Sequence, residues 1–253
     1  MKHFLALFVS ILLFSCSSDN DEPIKEVSVK LKFTQNWDNT TIEKSDLNNT
    51  EFTNKLGTKV SITRLRYLVS RITLTNGADE KTVFDGYKLV DISNPESLLH
   101  ELPQKVSEGS YKLTFTFGFV NDDNQSNIYQ DLNTASWSVG EMMGGGYHFM
   151  QLDGNYKDKD GNKQPYNFHV IRAYDATTMT SEDTSITIEV SNTITLKNNA
   201  TIEIKMNVAG WFKSPNDWDL NEKNIDLMED FEAQKLMFEN GKSGVFSIGT
   251  INQ

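Results

Sequence analysis

The chain has 253 residues, a single cysteine and a formal charge of −11. One thiol excludes an internal disulfide framework and a Cys-rich zinc site. The acidic balance repels polyanions, so nucleic acid is not an expected partner.

The N-terminus carries an export signal. Lys2 and His3 precede an apolar run from Phe4 to Phe14, interrupted only by Ser10. That run is shorter than the roughly 20 residues a membrane span needs, and it has the basic start and apolar core of a signal peptide. Leu13-Phe14-Ser15-Cys16 resembles the bacterial lipoprotein box, which makes residues 1–15 the signal peptide and Cys16 the lipidated first residue. The other reading is an ordinary secretory signal with a free cysteine. Residues 16–23 are polar and acidic and form a tether. They also resemble the surface-export signal of Bacteroidetes lipoproteins. The expected location is the outer membrane, held through the Cys16 lipid, with the domain facing periplasm or exterior.

From residue 24 to 253 the dominant signal is period two. Val27, Val29, Leu31 and Phe33 alternate with polar residues, as do Tyr111, Leu113, Phe115, Phe117 and Phe119. Ile186, Ile188 and Val190 repeat the pattern, followed by Ile202, Ile204, Met206 and Val208. Alternate side chains of a strand point to opposite faces, so each run buries one face and wets the other. Further strands are expected at Val60–Leu65, Tyr67–Thr75, Thr82–Ile92, Tyr147–Tyr156, Tyr166–Tyr174 and Val245–Ile251. Asn76-Gly77 and Asp160-Gly161-Asn162 suit hairpin turns. A short helical turn is expected near Pro95–Leu102. One helix is expected from Asn224 to Glu239, stopped by Asn240-Gly241. The fold class is therefore all-β: one antiparallel β-sandwich-like domain with one C-terminal helix.

Enzyme chemistry finds no support. There is no Gly-x-Ser-x-Gly elbow, no His-Glu-x-x-His and no P-loop. Asp217–Asn221 and Asp158–Asn162 place oxygen ligands at alternate positions, but their spacing departs from a calcium loop. The stretch from Trp137 to Tyr174 is more informative. It holds Trp137, Met142, Met143, His148, Met150 and His169. Imidazoles and thioethers suit copper, Cu(I) above all. His148 and Met150 are two apart, so an unbroken strand puts them on one face. The bland alternative is that the methionines fill the core and the histidines are hydrogen-bonded structural residues. A turn centred on Gly161 would pair His169 with Asp153, a few residues short of His148, which argues against shared ligation.

Several segments, in order, resemble the MbnP family of methanobactin-associated copper-binding proteins. They are Ile62–Ser70 with Ile72-Thr73-Leu74, Gly109–Leu113 with Phe117-Gly118, Asp131–Asn133, Gly146–Gly154, Tyr166–His169, Val208–Phe212 and Val245–Ser247. The resemblance spans about residues 27–251 and implies a β-sandwich-like domain holding one copper ion. It implies histidine ligands and an oxidised tryptophan (kynurenine) made by a partner diheme peroxidase-like protein. His169 matches the family's Phe-His region. The loop Asn121–Asn127 lacks the family's earlier histidine, and Met142-Met143 stand where the family has tryptophan, the nearest being Trp137. Either copper is held differently, by His148, His169 and methionine sulfur from Met142, Met143 or Met150, or this branch kept the fold and lost the metal. The first expectation is an envelope-anchored copper-binding lipoprotein. The second is a metal-free binding lipoprotein that engages a protein or glycan.

Overall fold

The computed structural model describes residues 25–190 and 193–253. The expected signal peptide, the expected lipidation site Cys16 and the expected acidic tether lie outside these residues. The main strands are β1 (Val29–Trp37), β2 (Lys59–Asn76), β3 (Lys81–Asp91), β4 (Gly109–Phe117), β5 (Met150–Lys157), β6 (Lys163–Val170), β7 (Ile186–Glu189), β8 (Ala200–Asn207) and β9 (Phe246–Asn252). Two α-helices accompany them, the short α1 (Gln130–Thr134) and α2 (Phe231–Lys242). One sheet runs β6-β5-β2-β4-β7, with β3 also on β2. The second runs β9-β8-β1 and then Thr40–Ile42. The expected antiparallel sandwich is present with one departure, since β8 and β1 pair in parallel.

The alternating runs close the core between the sheets. Phe33 of β1 packs edge-on against Tyr67 of β2, with ring centroids 6.3 Å apart. Phe246 of β9 meets Phe115 and Phe117 of β4, each at 5.6 Å. Burial of large rings dominates such a core, each stabilising it by about 1.5–3 kcal/mol.

The segments Val60–Leu65 and Tyr67–Thr75 are one strand. Arg66 between them is inside the ladder, opposite both Gln151 and Asp91. β2 serves two neighbourhoods: its first half pairs with β5 and its second with β4. A register shift falls between Ser70 and Ile72, where Arg71 has φ +49°. The run ending in Val208 stops a residue early, because Val208–Phe212 turns into a 3-10 helix.

The C-terminal helix begins later than Asn224 and ends later than Glu239. Asp230 is its N-cap and accepts a hydrogen bond from Ala233 N–H at 2.9 Å. Gly241 does not stop the helix. A Cβ there would sit 2.4 Å from Ile186 and 2.6 Å from Trp211, so this glycine allows the helix to lie against the core.

Candidate metal centre

The site is built on the β5–β6 hairpin. Asp158 Oδ1 accepts hydrogen bonds from the backbone of Asp160 and Asn162, and Asp158 N–H donates to Asn162 O. This carboxylate therefore organises a turn. Asp219 likewise accepts from its neighbour Asn221 through both backbone and side chain. The turn centres on Asp160, so Lys157 pairs with Lys163, Asp153 with Asn167 and Gln151 with His169. The expected pairing of His169 with Asp153 is thus corrected by two residues, which moves His169 towards His148. A two-residue slip keeps every side chain on its face. Gln151, Asp153, Asn167 and His169 share the polar face, while Leu152 and Phe168 point into the core.

The expected common face for His148 and Met150 is lost at a bulge. Met150 pairs with Val170, yet Phe149 N–H also donates to Val170 O at 2.7 Å. Two residues opposite one partner break the alternation. Met150 packs in the apolar core. His148 is turned instead towards His169, with ring centroids 5.3 Å apart and an interplanar angle of 80°.

Each imidazole is held at one nitrogen. His148 Nδ1 lies 2.9 Å from Trp137 O, and a carbonyl only accepts, so Nδ1 carries the hydrogen and Nε2 the lone pair. His169 Nε2 donates to Asp153 Oδ1 at 2.8 Å, which leaves the lone pair of the neutral ring on Nδ1. That Nδ1 is buried with no hydrogen-bond partner. Burial pushes His148 down to about 4, partly opposed by its bond to the Trp137 carbonyl. Burial alone would raise the Asp153 carboxyl. Hydrogen bonds from His169, Asn167 and Arg64 outweigh it and hold Asp153 well below the usual carboxylate range.

Trp137 reaches His148 through backbone pairing. Its carbonyl accepts from His148 N–H, and Ser138 bridges Tyr147. The Trp137 ring is fully buried, 5.7 Å from His148, and its Nε1 has no partner. The Arg66 guanidinium lies 5.1 Å from the Trp137 ring centroid and donates to Gln151 Oε1 and Ala135 O. The loop Asn121–Asn127 is scaffold. Asn124 Oδ1 accepts from Tyr147 N–H at 2.8 Å, and Ser126 Oγ accepts from Gly146 N–H at 2.9 Å.

The remaining methionines part company. Met142 is 89% exposed on the 3-10 turn Glu141–Met143. Met143 lines a cavity of about 300 Å³ with His169. Alternation and ligand softness did not point to Asp153, Arg66 or Met228. Asp153 was the nearest to legible, as a residue already placed across the hairpin from His169. A larger cavity, about 1230 Å³, opens over β1 and β8 and is lined by neither histidine nor methionine.

Among the described residues no group of three or more His, Cys, Asp and Glu side chains stands ready to hold a metal. The pair nonetheless fits one. A metal bonded to two imidazole nitrogens at about 2.0 Å brings the ring centroids to roughly 5–6 Å, and the observed separation is 5.3 Å. A buried nitrogen without a partner costs about 1–3 kcal/mol, a cost offset when its lone pair is taken by a metal. Ligating histidines usually donate their other N–H to a carboxylate or carbonyl, as both rings do here.

The family model of MbnP matches residues 26–229. MbnP from Methylosinus trichosporium has a similar structure, with a TM-score of 0.55 over 89% of this chain and 99% of that one. The two are 13% identical, so this likeness bears on the fold. None of the curated proteins compared matches the chain.

Proposed function

This chain belongs to the MbnP family, and we propose that it binds copper at His148 and His169. The observation that carries the reading is the pair of adjacent, edge-on imidazoles, each tethered at one nitrogen, with His169 Nδ1 buried and unpartnered. Imidazole nitrogen suits copper, and Trp137, the tryptophan nearest to the positions where the family resemblance has one, lies beside His148. The role is capture or delivery rather than catalysis. Export and anchoring through Cys16 would hold the domain at the envelope, and the partner peroxidase implied by the resemblance would act there.

The second reading is a metal-free binding lipoprotein that engages a protein or glycan. It is favoured by the absence, among the described residues, of a third His, Cys, Asp or Glu ligand. Titration of the purified protein with copper separates the two. One tight equivalent, lost in both His148→Gln and His169→Gln, is the expected result. No binding above that of the doubly substituted protein would establish the metal-free reading.

A further inference from the structure

The cavity on His169 is also lined by Met143 and Met228, with Asp226 and Glu229 beside them. Resting on the copper reading, we infer that Met143 and Met228 supply thioether donors at His169 and make the site selective for Cu(I). Two imidazoles leave a copper ion short of ligands, and no group of three or more His, Cys, Asp and Glu side chains completes the set among the described residues. Sulfur is the donor type that this cavity does hold. Soft thioethers favour Cu(I), whereas Cu(II) prefers nitrogen and oxygen. The two carboxylates raise the local cation concentration without competing as soft ligands.

Both methionines are positioned by separate clamps. Met143 ends the turn Glu141–Met143, and Gly144 closes it at φ +89°. Arg172 Nη2 donates to Gly144 O, and Glu141 Oε1 accepts from Ser126 Oγ at 2.7 Å. Met228 comes from the segment before α2, which runs along the free edge of β6. Asn167 N–H donates to Asn224 O at 2.7 Å. The fully buried Gln234 then donates through Nε2 to both His169 O and Leu227 O, each at 2.9 Å. Met228, next in the chain to Leu227, is thereby tied to the residue whose lone pair is free. Both methionines are half-buried, unlike the exposed Met142 and the core residue Met150.

Leucine has nearly the volume of methionine and packs similarly, but carries no sulfur. The test is the double variant Met143→Leu/Met228→Leu in the purified protein. Cu(I) affinity is measured by competition with a chromogenic Cu(I) chelator, and Cu(II) affinity in parallel. Cu(I) binding should weaken by at least about 10–100-fold, the range for losing a group that only supports a ligand, while Cu(II) binding holds. Copper-edge X-ray absorption of the Cu(I) form should show a sulfur neighbour in the wild type and none in the variant. An unchanged Cu(I) affinity, or a wild-type spectrum with only nitrogen and oxygen neighbours, overturns the inference. If His148→Gln/His169→Gln still abolishes binding in that case, the copper reading survives. A wild type that takes up no copper ends both.

Discussion

The Asp153 carboxylate and the His169 ring are diagonal neighbours across the β5–β6 hairpin, joined by a hydrogen bond of 2.8 Å from Nε2 to Oδ1. Arg64 and Asn167 donate to the same carboxylate. This bond fixes the tautomer of His169 and directs the lone pair to Nδ1. Asp153→Asn weakens that control, because an amide can present its NH₂ group to the ring. Copper affinity is expected to fall about 10–100-fold. Isothermal titration would show it, and an unchanged affinity would remove Asp153 from the site.

Acid should destabilise the metal-free protein in a defined window. His148 is pushed down to about 4 in the folded state by burial, against about 6.5 unfolded. Its folded pKa is the lower of the two, so the unfolded chain takes up the proton first. Stability present above about 6.5 is lost as pH falls towards 4, by about 3 kcal/mol. The Asp153 contribution is lost at lower pH, below the unfolded carboxylate pKa of about 3.9. Urea unfolding of wild type and His148→Gln between pH 7 and 4 tests this. Parallel pH dependences would refute the assignment to His148.

Gly118→Ala should disturb fold and site together. Gly118 has φ +83°, and a Cβ there would meet Phe149 Cγ at 2.4 Å. Phe149 forms the bulge that turns His148 towards His169. Overpacking at a left-handed position costs about 3 kcal/mol. Thermal unfolding should register that loss, and copper affinity should fall with it. A variant as stable as wild type would show that the contact relaxes freely.

Gln234→Leu leaves His169 O, Leu227 O and Ile171 N–H without their side-chain partner. Unsatisfied buried groups cost about 1–3 kcal/mol each. Unfolding should come at lower denaturant, and amide exchange should quicken at Ile171. Exchange at wild-type rates would mean that other groups satisfy the edge of β6.

On the proposed anchoring, Cys16→Ala should release the protein from the membrane fraction, since Cys16 is the single thiol and follows the apolar run Phe4–Phe14. Fractionation with a salt wash checks it. Retention of the variant in the pellet would point to another attachment.

Period-two alternation was enough to place most strands and the fold class, because burial of one face is a local demand repeated along each run. The run from Tyr111 to Phe117 could be read directly as a strand between wet and dry sides. The dipeptide Asn76-Gly77 marked its hairpin, but the turn is organised by Asn76 Oδ1, which accepts from the N–H groups of Ala78 and Glu80, and the positive φ falls at Asp79. Helix boundaries were less legible. Leu227 and Met228 fit the apolar face of a helix, but they cover the edge of β6 instead, and Gly241 serves packing rather than termination.

The site's chemistry was legible as a list of residue types and not as an arrangement. Register depended on a turn shifted by one position, and face depended on a bulge at Phe149, neither of which alternation encodes. Trp137 lies 11 residues before His148 and meets it only because the two segments pair through their backbones. Gln234 reaches His169 across 65 residues. Side-chain identity is a property of one position, whereas the meeting of two imidazole rings depends on the register, bulge and loop contacts that tertiary packing selects together.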